Sequence, residues 1–265
     1  GLVIATESEM EVFHRRYRVS NTGLMRLKGF TALRYKILGQ EVWAVQSGAG
    51  EIRAAAATQA LLSEFSIDAI LNFGVCGGLD ERIPLAQPLI VSNVIHYDFD
   101  ISGVDGCEPA KYEQYPSVHI PADLDIVYTA SGANPGILRV TCASGDKFLD
   151  SAGDKRSLHH RFETAQICDM EAAGILLTAN MSSIPALLIK AVSDGVTGGA
   201  EVAVVLKYLV DAIEAVCRGR KVKIYNFENG YHTVEIENAS LADIEAIIEA
   251  KKLDTFEQKG ELTND

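Results

Sequence analysis

The 265-residue chain predicts an α/β layered domain. Short apolar runs bounded by glycine or an acid alternate with helical patterns along most of its length. Several of these runs are continuously apolar rather than alternating, which suits strands covered by helices on both faces. With 48% hydrophobic residues at this length, folding buries roughly 75% of the extended chain's surface, so a real core is expected.

In order, the first strand is 2–6 (LVIAT) and a helix follows over 8–18. Strands 31–38 and 41–47 (EVWAVQS) lead into a helix over 50–65, and strand 68–74 (DAILNFG) ends in glycine. Strands 88–95 and 138–144 precede a helix at 153–164, strand 166–170, and an apolar helix at 171–182. Strand 185–192 and a helix at 199–217 complete a first unit, 1–217. Beyond it the chain changes character. RGRK (218–221) is a basic knot, and Asn229-Gly230 between two β-prone runs in 222–237 is a strong hairpin signal. Leu241, Ile244, Ile247 and Ile248 then share one helical face. Residues 218–265 therefore read as a small C-terminal extension, a ββα appendage with a polar tail.

Charge and cysteine usage narrow the function. The net charge of −12 argues against grip on nucleic acid by phosphate neutralisation. No apolar run approaches the ~18 residues of a membrane span, and residues 1–12 show neither a basic start nor an apolar leader core. The five cysteines, Cys76, Cys107, Cys142, Cys168 and Cys217, are odd in number and widely spaced, with no CxxC pair and no histidine at zinc-ligand spacing. These features give the expectation of a cytoplasmic protein with reduced thiols, no membrane partner and no metal.

In open α/β sheets ligands collect at the carboxyl ends of strands. Those places hold Glu7, Glu9 and Glu11, SGAGE (47–51), GVCGG (74–78), HYDFD (96–100), SGDKF (144–148), DMEAAG (169–174) and SDG (193–195). SGAGEIR is no dinucleotide fingerprint, because Arg53 occupies the third glycine position, and GVCGG lacks the Lys-Ser/Thr of a phosphate loop. Glu9 and Glu11 each complete a capping-box spacing, with Thr6 and Ser8, so local geometry alone accounts for them. Glu171 lies between a buried strand and an apolar helix, where a carboxylate must find donors or a ligand. Asp194 ends the apolar strand LLIKAV, a setting that either caps the next element or builds an acid of raised pKa. Three such carboxyls at strand ends suit a site that protonates one group while stabilising positive charge on another.

The segments ATESEMEV (5–12), VQSGAGEIRAAAATQ (45–59), AILNFGVCGGLD (69–80), IVSNVIHYDFDIS (90–102), SGDKFL (144–149), ICDMEAAGI (167–175) and IKAVSDG (189–195) occur in one recognisable order. Together they resemble the purine nucleoside phosphorylase/uridine phosphorylase superfamily, and within it most closely the 5′-methylthioadenosine/S-adenosylhomocysteine nucleosidases. The resemblance implies a three-layer α/β nucleoside phosphorylase-like fold, a twisted mixed sheet closing partly into a barrel among helices, usually in a homodimer. It also implies cleavage of a purine N-glycosidic bond with no cofactor. Carried over, Asp194 protonates N7 of the purine and Ser193 orients it. Phe148 stacks on the base, while Leu149 binds its edge through the backbone. Glu171 accepts the ribose hydroxyls above Met170, Val75 and Cys76 wall the water side, and Glu11 activates water.

Two positions depart from the family pattern: Val75 stands where nucleosidases commonly have serine, and Lys190 where arginine is common. Related phosphorylases supply an arginine just before the glycine-rich turn, whereas here Leu71-Asn72-Phe73-Gly74 carries no cation and the early glutamates repel phosphate. Water is the expected nucleophile. The alternatives are a phosphorylase, a hydrolase of another 5′-substituted purine nucleoside, and a nonenzymatic nucleoside-binding protein.

Overall fold

A computed structural model describes residues 1–17, 23–134 and 136–199. The first half comprises β1 (Leu2–Ile4), α1 (Glu7–Arg16), β2 (Leu24–Leu27), β3 (Phe30–Ile37), β4 (Gln40–Gln46), α2 (Glu51–Glu64) and β5 (Ile70–Gly78). The second comprises β6 (Pro88–His96), the short α3 (Ser102–Asp105), β7 (Ile120–Pro121), α4 (Leu124–Ala133), β8 (Leu138–Ser144) and α5 (Ala152–Arg161). It closes with β9 (Ala165–Asp169), α6 (Ala172–Met181) and β10 (Ala186–Asp194). The strands and helices expected from periodicity within these residues are present. The hairpin strand β2, the two-residue β7, α3 and α4 were not anticipated. In α4 the run LDIVYTASGA mixes β-branched and small residues, and its start depends on one cap, Ile126 N–H donating to Asp123 Oδ1 at 3.0 Å. The expected helix 199–217 and the 218–265 extension lie outside the described residues, apart from position 199.

One mixed sheet runs β10-β6-β8-β9-β5-β1-β4-β3-β2, and β10 also pairs with β5. That extra pairing closes β5, β10, β6, β8 and β9 into a ring, the partial barrel, which removes exposed edges from those strands. β5 is the hinge of the arrangement. It runs parallel to β1 and β10 and antiparallel to β9, and Gly77 faces both Asp194 and Cys168 across the two seams. The β10 register breaks between Val192 and Asp194. Such irregularities bend a strand and re-aim its side chains. The seams thus bring the ends of β5, β9 and β10 to one place.

Packing sets how the surrounding helices face that place. Phe13 of α1 is fully buried, its ring 4.9 Å from Tyr35 and 5.8 Å from Phe73. Burial of such a side chain is worth about 1.5–3 kcal/mol, enough to fix the rotation of a ten-residue helix on the sheet. α2 packs along α6, where a Cβ at Gly174 would collide with the Glu51 carbonyl. Cys76, Cys142 and Cys168 are buried and free, as small apolar groups of the core. Among the described residues no helix is long and apolar enough to cross a membrane.

Candidate active site

A cavity of about 220 Å³ opens where β1, β5, β9 and β10 end. Its lining includes Val75, Cys76, Phe148, Leu149, Met170, Glu171, Ser193 and Asp194. Eight of the residues expected from sequence therefore meet in one hollow. Phe148 is 69% exposed, and its segment forms one rim.

Glu11 is not among them, and this corrects the sequence-based expectation. Its side chain is 60% exposed and paired with Arg15 at 2.6 Å on the outer face of α1. The carboxylate in the cavity is Glu9, only 2% exposed. At 3.6 residues per turn, two positions along a helix are about 200° apart, so only one of the pair can face the sheet. Phe13, with Met10 and Glu9, chose the face. Glu9 does complete the capping box with Thr6, as its spacing suggested. The same carboxylate also reaches β5, accepting from Thr6 N–H through Oε2 and from Val75 N–H through Oε1, both at 2.9 Å. A Cβ on Gly74 would sit 2.5 Å from Glu9 Oε1, so this glycine, which lies inside β5 rather than in a turn, makes room for the carboxylate.

On the next wall Glu171 stands at the N-cap position of α6 without capping it, and its carboxylate instead accepts from Gly50 N–H at 3.1 Å. Burial raises its carboxyl to about 7, assisted by the charge of Asp169 and opposed by Lys190 and the Gly50 N–H. Lys190 lies inside the barrel, paired with Asp169 at 2.7 Å with both side chains almost fully buried. Burial opposes the Lys190 charge, yet Asp169 and Glu171 overcome it and the net shift is upward. Asp169 moves down, because Lys190 and its hydrogen bonds outweigh its own burial.

Behind Glu171 a third carboxyl, Glu51, is buried at the start of α2. Ser144 Oγ lies within hydrogen-bond distance of both Glu51 Oε1 and Asp169 Oδ1, while Ala173 N–H donates to it. A hydroxyl has one hydrogen to give, so two short carboxyl contacts require a second proton. Glu51 is the group that carries it: burial, then the Asp169 charge, raises it to about 8. α2 itself starts at Gly50, which has no side chain to cap it. Asp146 of the SGDKF segment does so instead, accepting from Glu51 N–H at 2.7 Å, and Asp146 N–H donates to Asp98 at 2.9 Å. Three post-strand segments are thereby tied together behind the Glu171 wall of the cavity.

At the opposite end Asp194 is 40% exposed. Ser193 Oγ is 2.8 Å from Oδ1, and Lys155 Nζ of α5 is 2.5 Å from Oδ2. Sequence reading missed Lys155. In AGDKRSLHHR it looks like one more charge on a solvated helix, and only the buried Leu158 one turn on hints at an inward face. The arrangement as a whole places a half-exposed acid across a small cavity from three buried carboxyls, Glu9, Asp169 and Glu171. It suits protonation of a leaving group on one side, with cation stabilisation and nucleophile activation on the other.

The phosphorylase superfamily model matches residues 1–219, and the chain belongs to that family. It is similar to the 5′-methylthioadenosine/S-adenosylhomocysteine nucleosidase of Shewanella piezotolerans, at 29% identity over 70% of this chain and 82% of the relative. The enzyme of the same name from Shewanella sediminis is 30% identical over the same shares. Among solved structures, the fold is like that of the Streptococcus pneumoniae MTA/SAH nucleosidase in complex with 8-aminoadenine. The TM-score is 0.74 at 22% identity, covering 82% of this chain and 97% of that one.

Proposed function

We propose that the protein hydrolyses the N-glycosidic bond of a purine nucleoside, 5′-methylthioadenosine and/or S-adenosylhomocysteine, releasing adenine. In this reading Asp194, oriented by Ser193, protonates N7, so the base leaves neutral. Phe148 stacks on the ring, and the Leu149 backbone meets its edge. Glu171, beside Met170, accepts the 2′ and 3′ hydroxyls of the ribose and faces the positive charge that develops on the sugar. Glu9, in the role that sequence gave to Glu11, takes a proton from the attacking water between Thr6 and Val75. Two protomers, each with its own cavity, acting in the cytoplasm, complete the proposal, with 218–265 as an appended unit.

The observation that carries water over phosphate is the charge around the cavity. Its nucleophile side presents Glu9 and Glu171, and among the described residues no arginine lines it. The nearby lysines all face acids: Lys147 with Asp154 at 3.7 Å, Lys155 with Asp194, and Lys190 with Asp169. Among the described residues an oxyanion would meet carboxylates without a free cation. A nonenzymatic binder would have no use for the acid and base pair. The test is adenine release from methylthioadenosine with and without phosphate. Release at the same rate in both is expected. Release that needs phosphate overturns the hydrolase reading, and tight binding without release overturns the enzyme reading.

A further inference from the structure

Lys155 is 2% exposed, on a helix whose neighbouring side chains are mostly polar and accessible. Burying an ammonium costs several kcal/mol unless its hydrogen bonds are met. Here Nζ donates to Asp194 Oδ2 at 2.5 Å, to the Asp194 carbonyl at 2.9 Å and to the Gly195 carbonyl at 3.1 Å. Three N–H groups meet three acceptors, all in the two-residue turn that carries the acid. None is left to point into the cavity, and Lys155 is not part of its lining. Among the described residues the other carboxylate oxygen, Oδ1, has only the Ser193 hydroxyl, which also lies 3.5 Å from the Cys76 carbonyl. Of the remaining titratable groups around Asp194, the thiols of Cys76 and Cys168 are pushed up by burial and stay neutral, while Lys190 and Asp169 are engaged with each other.

We infer that Lys155 is a positioning residue for the general acid: by holding Oδ2 and both carbonyls of the 194–195 turn, it makes Oδ1 the oxygen that delivers the proton. The inference rests on the reading of Asp194 as that acid. The Oδ1 proton passes to N7 as the C1′–N9 electron pair moves onto the base. A water oxygen bonds to C1′ and its proton goes to Glu9. Asp194 is left as a carboxylate, already paired at Oδ2, and the single Ser193 hydrogen turns from the Cys76 carbonyl to Oδ1. Lys155 neither gains nor loses a proton. Its charge and geometry are in place before and after the step.

The test compares methylthioadenosine, whose base must be protonated to leave, with 4-nitrophenyl riboside, whose phenolate leaves unaided. Lys155→Met should lower kcat on methylthioadenosine by about 10²-fold, the cost of misplacing a reacting group by ~1 Å. KM should stay within about threefold, and nitrophenyl riboside turnover should fall less than tenfold. Lys155→Arg, which can donate to the same acceptors and leaves no buried acceptor bare, should recover at least a tenth of the wild-type kcat. Unchanged kcat in Lys155→Met, an equal loss on both substrates, or no recovery in the arginine variant overturns the inference. Asp194→Asn, run in parallel, separates the two claims. Without a selective loss on methylthioadenosine there, the acid assignment itself fails; with it but no selective loss in Lys155→Met, only the role of Lys155 fails.

Discussion

The two ends of the cavity use the same side-chain type in opposite surroundings. At one end a single carboxyl, Asp194, is partly open to solvent and has its own cation. At the other Glu9, Glu51, Asp169 and Glu171 are all buried, with Lys190 as the one cation among them in the described residues. The Asp194 end is thus organised by pairing. The Glu171 end is organised by crowding, which raises the carboxyls of Glu51 and Glu171. A site that must protonate one atom while stabilising a cation a few ångströms away needs both environments at once, and the barrel seam supplies them within one hollow.

Breaking either end should have the largest effect. Asp194→Asn and Glu9→Gln should each reduce methylthioadenosine turnover by about 10²–10⁴-fold, the usual contribution of a general acid or base, measured as adenine release. Glu11→Gln, by contrast, should not reproduce the Glu9 defect. A smaller effect follows from crowding. Glu171 must be ionised to face the developing cation, so kcat/KM should rise with pH through about 7. The limb for kcat should lie lower, because ribose hydroxyls donating to Glu171 favour its anion. A flat profile from pH 6 to 8 would remove Glu171 from that role.

Glu51 allows the same contrast to be read in stability. Its carboxyl binds a proton more tightly folded than unfolded, so stability from this group is complete below about 4.5 and is lost as pH rises through about 8. Glu51→Gln should flatten that decline and raise the thermal midpoint at pH 9, at roughly 2–4 °C per kcal/mol for a domain of this size. An unchanged slope would show that the decline has another source. The smallest effect belongs to the outer face of α1: Glu11→Ala should leave turnover within twofold and stability within about 0.5 kcal/mol.

Much of this arrangement was legible in the chain. Continuous apolar runs located the buried strands, and the residues just beyond them were the right places to look for chemistry. Asp194, Ser193, Glu171, Met170, Phe148, Leu149, Val75 and Cys76 converge because the strands that carry them end at the same seam. What remained hidden depends on rotation and on contacts distant in sequence. Glu9 and Glu11 have equivalent capping patterns, and only the packing of Phe13 against Tyr35 and Phe73 decides which faces inward. Lys155 is 39 residues from Asp194, and in its own helix only the apolar Leu158 hints at its inward face. The substitution of Lys190 for arginine was visible, but its pairing with Asp169 across two strands was not.

The absence of a side chain at Gly74 has a consequence for how such a protein changes its trade. Alanine there would place a methyl group 2.5 Å from Glu9 Oε1 and push that carboxylate out of its seat. In the proposed reading the result would be a molecule that still embraces a nucleoside but no longer brings water to it. The boundary between a catalyst and a receptor for the same ligand can therefore be as thin as one carbon, at a position that carries no functional group of its own.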